Sequence, residues 1–130
     1  RKYASKLILK ASKKVRKSLS KLDDPPAAEQ LHRVRIEVKR LRYTCEYFKV
    51  LYAGKLRDTI KTCKLVQDSL GEHQDAAVAI SVLKEIAREL SKDKENAQAV
   101  MVTGALVEMQ RRKMLERRKL ALPRAFQVLP

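Results

Sequence analysis

Residues 31–43 read LHRVRIEVKRLRY and decide the fold of this chain. Apolar side chains recur there every three or four residues, which is the period of an α-helix that buries one face. The apolar stripe continues past the quoted stretch and comprises Leu31, Val34, Val38, Leu41, Cys45 and Phe48. The sequence therefore predicts a helix with an aliphatic face that packs against a neighbour.

The same helix carries basic residues on two sides. At about 100° per residue, one set of side chains starts at the edge of the apolar stripe. We call this set the basic strip, and it comprises His32, Arg35, Lys39, Arg42 and Tyr43. Arg33 and Arg40 fall elsewhere on the helix and are predicted to point toward solvent. The strip is thus predicted to lie beside the core, whereas the other two cations face water.

Two further segments repeat this amphipathic design. The first segment has an apolar stripe formed by Ala4, Ile8, Ala11, Val15, Leu19 and Leu22. Opposite that stripe, its lysines are predicted to form a solvated face: Lys6, Lys10, Lys13, Lys17 and Lys21. The segment 55–70 has the apolar residues Leu56, Ile60, Cys63, Val66 and Leu70. A flanking strip on that segment comprises Arg57, Lys61, Lys64 and Asp68.

Glycine, proline and capping residues predict where the helices end. The expected breaks lie at Pro25 and Pro26, Gly54, Gly71, residues 91–96 and Pro123. Asp24 is a candidate N-cap for the second helix and Asp75 for a fourth, while the last helix is expected from Ala97 to about Leu122. Gly104 within it would permit close contact with another helix. No alternating strand pattern occurs, so we predict one all-α domain over residues 1–130, a bundle of four to five helices.

Composition limits the classes of function. The chain has 30 Lys and Arg against 15 Asp and Glu, a net charge of +15, which favours a polyanionic ligand such as nucleic acid, an anionic membrane surface or a phosphate polymer.

Neither a signal peptide nor an apolar run of about 18 residues is present, so no membrane association is predicted. Cys45 and Cys63 fall on apolar faces and are predicted to be buried free thiols. That indicates a reducing compartment and hence a cytoplasmic location.

If the second and third helices pack through their apolar stripes, six cations can line one trough: Arg35, Lys39, Arg42, Arg57, Lys61 and Lys64. The nearby carboxylates, Glu46, Asp68 and Asp75, are too few to neutralise them. A mixed row of planar guanidinium groups and point-like ammonium groups suits a repeating phosphate chain. An ordinary solvated helix face remains the alternative for this pattern, and His32 alone is equally well explained as a packing or capping residue.

Two blocks of sequence resemble the CHAD family, the conserved histidine α-helical domain. The first block is LHRVRIEVKRLRY followed by EYF, in which all five residues of the basic strip match the family pattern. The second block is LVQDSLGEHQDAAVA, and its matching positions are Gln67, Asp68, Leu70, Gly71 and Asp75. Ten positions in two blocks at a consistent separation make the resemblance fairly specific.

The resemblance implies an all-helical fold without catalytic activity, cofactor or metal, which binds inorganic polyphosphate in a basic cavity. It implies that the basic strip faces the polymer, and it extends less strictly to Lys61 and Lys64. A complete domain of this family has two related halves, of which this chain resembles the C-terminal one. The expected partners are therefore polyphosphate and either the missing N-terminal half or a second copy, with polyphosphate granules as the expected site of association.

Three other functions fit parts of the sequence. A nucleic-acid-binding helical domain is the main alternative, although aromatic residues for base stacking are scarce. An enzyme would use His32 with Asp68 or Asp75 on a phosphoanhydride, but phosphoryl transfer generally needs a metal held by clustered carboxylates. Docking of an acidic protein is the third.

A defined polyphosphate site predicts that neutralising Arg35, Lys39 and Arg42 costs more affinity than neutralising Lys6, Lys13 and Lys17.

Overall fold

A computed structural model describes residues 1–128, which contain four α-helices and no strand. The helices are α1 (Lys2–Ser20), α2 (Ala28–Phe48), α3 (Arg57–Leu90) and α4 (Ala97–Gln127). Short 3-10 helices at Lys49–Tyr52 and Lys94–Asn96 precede α3 and α4. The all-α prediction is confirmed. Residues 129 and 130 of the predicted domain lie outside the described residues.

The predicted apolar stripes of the first three helices meet in one core. Its buried members are Val15, Leu19, Leu31, Val34, Val38, Leu41, Cys45, Cys63, Val66, Leu70, Ala121 and Ala125. Ile8, Ala11, Leu22, Leu56 and Ile60 pack around them and are partly buried, and Phe48 is half-buried. The five apolar-stripe residues of α2 from Leu31 to Cys45 are at most 1% exposed, so α2 is the central helix of the core.

The loop between α1 and α2 is closed by Gln30 rather than by Asp24. The Gln30 side chain accepts the Ala27 N–H at 2.9 Å and donates to the carbonyl oxygen of Lys21 at 3.0 Å and to Asp23 Oδ2 at 3.1 Å. The N-cap is Ala27, so the prediction of Asp24 as the cap is wrong. A glutamine inside the first turn reaches back to the orphan N–H groups and replaces the side-chain cap.

Helix α3 continues through Gly71, against the prediction that this glycine ends a helix and that Asp75 caps the next one. The helix has 34 residues and is about 51 Å long at 1.5 Å per residue. Gly71 is buried in its middle. A glycine inside a helix costs about 1 kcal/mol relative to alanine, and packing against α2 offsets that cost here.

Helix α4 also runs past a predicted break. Pro123 lies inside α4, which ends at Gln127. A proline removes one backbone N–H, here the donor to the Lys119 carbonyl, and crowds the preceding turn, yet four helical residues follow it. The expected close contact at Gly104 is also wrong, because no atom lies within 4 Å of the position that its Cβ would occupy.

Helices α3 and α4 extend beyond the other two. Ala121 and Ala125 at the end of α4 return to the core, and Arg117 of α4 forms an ion pair with Glu72 of α3. Past this point, residues 76–110 form a two-helix projection that we call the distal hairpin, in which only Ala76 and Thr103 are buried among the described residues. None of the described helices has an apolar stretch long enough to cross a membrane.

Candidate anion-binding site

The structure seats one arginine of the basic strip directly on α3. A Cβ built on Gly71 would lie 3.3 Å from Arg35 Nη2 and 3.4 Å from both Cζ and Nε. The guanidinium group therefore occupies the space that a larger side chain at position 71 would need. Arg35 Nε is buried there and has no hydrogen-bond partner among the described residues. The glycine thus lets the guanidinium pack closely against α3, while the residue as a whole stays half-exposed.

The second arginine of the strip is also held in the seam between α2 and α3. The Arg42 side chain is 16% exposed, and its Nε lies 3.4 Å from Glu46 Oε1. Burial and the neighbouring Cys45 raise the pKa of the Cys63 thiol in α3 to about 12. The positive charge of Arg42 acts in the opposite direction, so the Arg42 guanidinium is close to Cys63. Arg42 therefore lies at the level of Cys63, about 10 Å along α2 from Arg35.

The remaining members of the strip lie on the outer side of these arginines. The Tyr43 ring is contacted by Lys39 Nζ at 5.8 Å and by Arg42 Cζ at 4.8 Å from its centroid. Tyr43 and Lys39 are exposed, whereas His32 is half-buried and its Nδ1 has no hydrogen-bond partner within residues 1–128. A tyrosine ring attracts both cations without neutralising them.

The cations of α3 are arranged along one face of that helix. Residues 57, 61, 64, 68, 71 and 75 recur every three or four positions and so share a face. Because Arg35 lies at Gly71 and Arg42 near Cys63, the antiparallel register brings Lys64 to the level of Arg42. Lys61 and Arg57 lie one and two turns farther along, and all three side chains are exposed. That all six cations contact one ligand stays a prediction.

Carboxylates neutralise little of this surface. Among the described residues, Arg42–Glu46 is the only ion pair made by a member of the strip or by the three α3 cations. Asp68 and Asp75 flank Gly71 on the same face of α3, yet both are exposed and neither forms an ion pair in the described part of the chain. The surface therefore retains a net positive charge beside the contact between α2 and α3.

A second basic surface lies between α1 and α2. Its groove has a volume of about 760 Å³ and is lined by Lys14, Lys17, Ser18, Lys21, Glu29, Gln30, Arg33, Ile36, Glu37 and Arg40. Arg33 and Arg40 are exposed as predicted, but each is paired, with Glu29 at 3.6 Å and Glu37 at 2.8 Å. A smaller adjoining groove of about 350 Å³ reaches Tyr43. Sequence reasoning treated these arginines as solvated and missed the groove.

His73 is a further residue that the sequence analysis did not single out. It is 2% exposed in α3, and burial lowers its pKa, with the Arg118 charge acting in the same direction. It follows Val66 and Leu70 at core spacing, so the helical period could have placed it inside. A neutral imidazole at neutral pH fits a structural role near α4.

The two cysteines are buried free thiols, as predicted. Burial, with a smaller contribution from Glu46, raises the pKa of Cys45 to about 11. Both thiols therefore stay protonated at neutral pH and act as small core residues. Within residues 1–128, no three His, Cys, Asp or Glu side chains are grouped as a metal site would require.

Comparison with known families places most of the chain in one family. The family model of the CHAD domain matches residues 1–84, which include α1, α2 and most of α3. No curated protein and no solved structure matches the chain. The match covers 84 of 130 residues and contains the whole basic strip together with Gly71. The chain therefore belongs to the CHAD family, which is associated with polyphosphate binding.

Proposed function

We propose that this chain binds inorganic polyphosphate through the basic strip and does not react with it. The observation that carries the proposal is the Arg35 guanidinium seated on Gly71. Since Nε faces α3, the two Nη groups are the donors left for an external acceptor. A guanidinium held in one orientation makes bidentate contacts with phosphate oxygens at a lower entropic cost than a mobile side chain does.

The spacing of the strip supports a polymeric ligand. Arg35 and Arg42 are about 10 Å apart along α2, with Lys39 between them, so three cations follow one line. Lys64 extends this line onto α3 at the level of Arg42, and Lys61 and Arg57 continue it. A ligand with one charge per repeating unit can contact successive members of such a row, whereas a single phosphate can contact only one or two. Each added contact strengthens binding to a longer chain.

His32 and Tyr43 are proposed to add hydrogen bonds to the ligand. The Tyr43 hydroxyl is accessible because the residue is exposed, and its ring orients Lys39 and Arg42. The Nδ1 atom of His32 lacks an internal partner, but its burial leaves Nε2 as the atom better suited to an external contact. Both residues therefore tune the site and do not supply its main charge.

Binding without catalysis follows from the chemistry of the side chains. The strip offers two guanidinium groups, an ammonium group, an imidazole and a phenol. Phosphoryl transfer is typically assisted by a metal held by paired carboxylates and by a positioned base. Asp68 and Asp75 lie two turns apart on α3, with Gly71 between them. We accordingly propose a cytoplasmic binding module that associates with polyphosphate granules.

The test is a titration of the chain with long-chain polyphosphate, in parallel with duplex DNA at the same phosphate concentration and at two salt concentrations. We expect polyphosphate to bind more tightly than DNA and to retain most of its affinity at the higher salt concentration. The reason is that bidentate contacts of the arginines add to the long-range electrostatic attraction of the basic chain. DNA should lose most of its affinity. If DNA displaces polyphosphate at equal phosphate and both are lost with salt, the protein is a general polyanion or nucleic-acid binder.

A further inference from the structure

The distal hairpin exposes apolar side chains that no other part of the described chain covers. On α3 they are Val78, Val82 and Ile86, and on α4 they are Val102, Leu106 and Met109, each at least 41% exposed. Two helices alone cannot bury both of their apolar sides, and Thr103 is the only buried residue between positions 77 and 110. The hairpin therefore lacks a core of its own.

The two exposed stripes lie on the same face of the hairpin. The residues of α3 that face α4 centre on Ile80, Leu83 and Ala87, and the exposed stripe lies about 120° from them. On α4 the residues that face α3 centre on Thr103 and Val107. The exposed apolar stripe of α4 is again about 120° from them, in the same rotational sense. Because the helices are antiparallel, equal offsets in the same sense point to one side. The six side chains thus form one apolar surface.

Charge is segregated between this hairpin and the rest of the molecule. Residues 76–110 contain four basic side chains, Lys84, Arg88, Lys92 and Lys94, and five acidic ones, Glu85, Glu89, Asp93, Glu95 and Glu108. The hairpin thus has a net charge of −1, and the rest of the +15 chain carries +16. We call the rest of the molecule, outside residues 76–110, the basic body. The basic bodies of two copies repel each other, so two copies can approach with the lowest electrostatic cost through their hairpins.

We propose that the apolar face of the distal hairpin binds the same face of a second copy of this chain. Two helical hairpins that pack face to face make a four-helix bundle, and a two-fold axis makes the surface self-complementary. With the hairpins antiparallel, each tip lies against the partner's hairpin base, and the two basic bodies are at opposite ends. This arrangement buries the apolar stripes of both copies and keeps the +16 bodies apart.

The ends of the stripes add a charge match that favours a second copy over an unrelated partner. Glu89 follows Val82 by seven residues and continues the α3 stripe to the tip, whereas Lys113 follows Leu106 by seven residues at the base of α4. Lys113 makes no ion pair in the described part of the chain, and Glu89 pairs only with Lys92 at 3.0 Å. In the antiparallel pair, Glu89 at the tip of one copy lies at the same level as Lys113 at the hairpin base of the other, so opposite charges lie at each end of the bundle.

The experiment is sedimentation velocity on the full chain without polyanions, from low micromolar to several hundred micromolar. We expect a concentration-dependent rise from the 14.9 kDa monomer to twice that mass. Val82→Glu should weaken the dimer at least about 10-fold, because it places a charge in an apolar contact. The matched control is Val50→Glu: Val50 is 81% exposed on the 3-10 helix of the body, and its replacement should leave the dimer unchanged.

A charge exchange tests the orientation. Lys113→Glu should weaken the dimer, and the double variant Glu89→Lys with Lys113→Glu should restore it, because the pair is then reversed and still opposite in sign. A monomer at every concentration would overturn the proposal, as would a dimer that Val82→Glu leaves intact or that Val50→Glu weakens equally. Circular dichroism of each variant shows that the helices are retained. Binding of polyphosphate plays no part in these measurements.

Discussion

Helices α1 and α2 are similar in length and carry seven and five Lys or Arg residues, yet they hold these cations in different ways. On α1, Lys6 and Lys13 are exposed and make no ion pair within the described residues. On α2, Arg35 lies on Gly71 and Arg42 is 16% exposed in the seam with α3. The number of charges is therefore a poor guide to a site. What distinguishes the strip is a neighbouring helix that fixes its guanidinium groups.

The most severe test of this contrast is to remove three charges from each surface. The triple change Arg35→Gln, Lys39→Gln and Arg42→Gln should weaken polyphosphate binding by at least about 100-fold, since charge-assisted hydrogen bonds are among the stronger ones. Isothermal titration calorimetry measures the loss. The same three-charge change on α1 removes only part of the long-range field and should cost less than about 5-fold.

The matched α1 variant is Lys2→Gln, Lys6→Gln and Lys13→Gln. Lys17, which the sequence pattern groups with these lysines, is left out because it borders the groove between α1 and α2. Both triple variants lower the net charge by the same amount. Equal losses from the two would show that the strip is only part of a diffuse positive field.

The seat of Arg35 can be removed without changing any charge. Gly71→Leu fills the space of the guanidinium and should weaken polyphosphate binding by about 10-fold through the loss of one fixed charged contact. Gly71→Ala should have a smaller effect, because the flexible end of Arg35 needs to move only slightly. Fluorescence titration at constant salt gives both affinities.

Gly104→Leu is the control for this change, since no atom lies within 4 Å of its Cβ position. It should leave binding unaltered and raise helix stability, as replacement of a mid-helix glycine does. Retention of full affinity by Gly71→Leu, with its helix content intact, would mean that the position of the Arg35 guanidinium does not matter.

The buried seam beneath the strip gives a pH dependence that the α1 face does not share. The thiols of Cys45 and Cys63 have folded pKa values of about 11 and 12, above that of an exposed thiol. When folding raises the pKa of an acid, that acid contributes to the free energy of unfolding. The contribution is fully present at a pH below the unfolded-state pKa and is lost as the pH rises toward the folded-state pKa. Thermal stability should therefore fall more steeply above about pH 8.5, the pKa of a free thiol.

Differential scanning calorimetry from pH 7 to pH 11 checks this slope against the double variant Cys45→Ala and Cys63→Ala. The variant is less stable at every pH because of the cavities it creates, but its slope above the thiol pKa should be shallower. All other residues are the same in both proteins, so their contributions cancel in the comparison. Parallel curves would show that the two thiols do not titrate differently in the folded and unfolded states.

The sequence predicted the core and the strip well, because both depend on helical spacing within one segment. The stripe from Leu31 to Cys45 and the burial of both cysteines are confirmed. It failed where tertiary contacts override local preference. Gly71 carries a helix-ending signal, but packing against Arg35 keeps α3 continuous. Pro123 lies inside α4 between Ala121 and Ala125, whose packing in the core holds this end of the helix. The groove between α1 and α2 likewise depends on a neighbouring helix, although the pairs Arg33–Glu29 and Arg40–Glu37 that border it are local to α2 and follow from its spacing.

The role of the Arg35 guanidinium is tested by an NMR titration that follows the side-chain Nε–H groups of the arginines as polyphosphate is added. We expect the Nε–H signals of Arg35 and Arg42, assigned by Arg35→Lys and Arg42→Lys, to shift first and to saturate together. The signals of the exposed Arg33 and Arg88 should change little. If all arginines shift in parallel, or if Arg33 and Arg88 shift before Arg35, then the guanidinium seated on Gly71 is not the centre of the site.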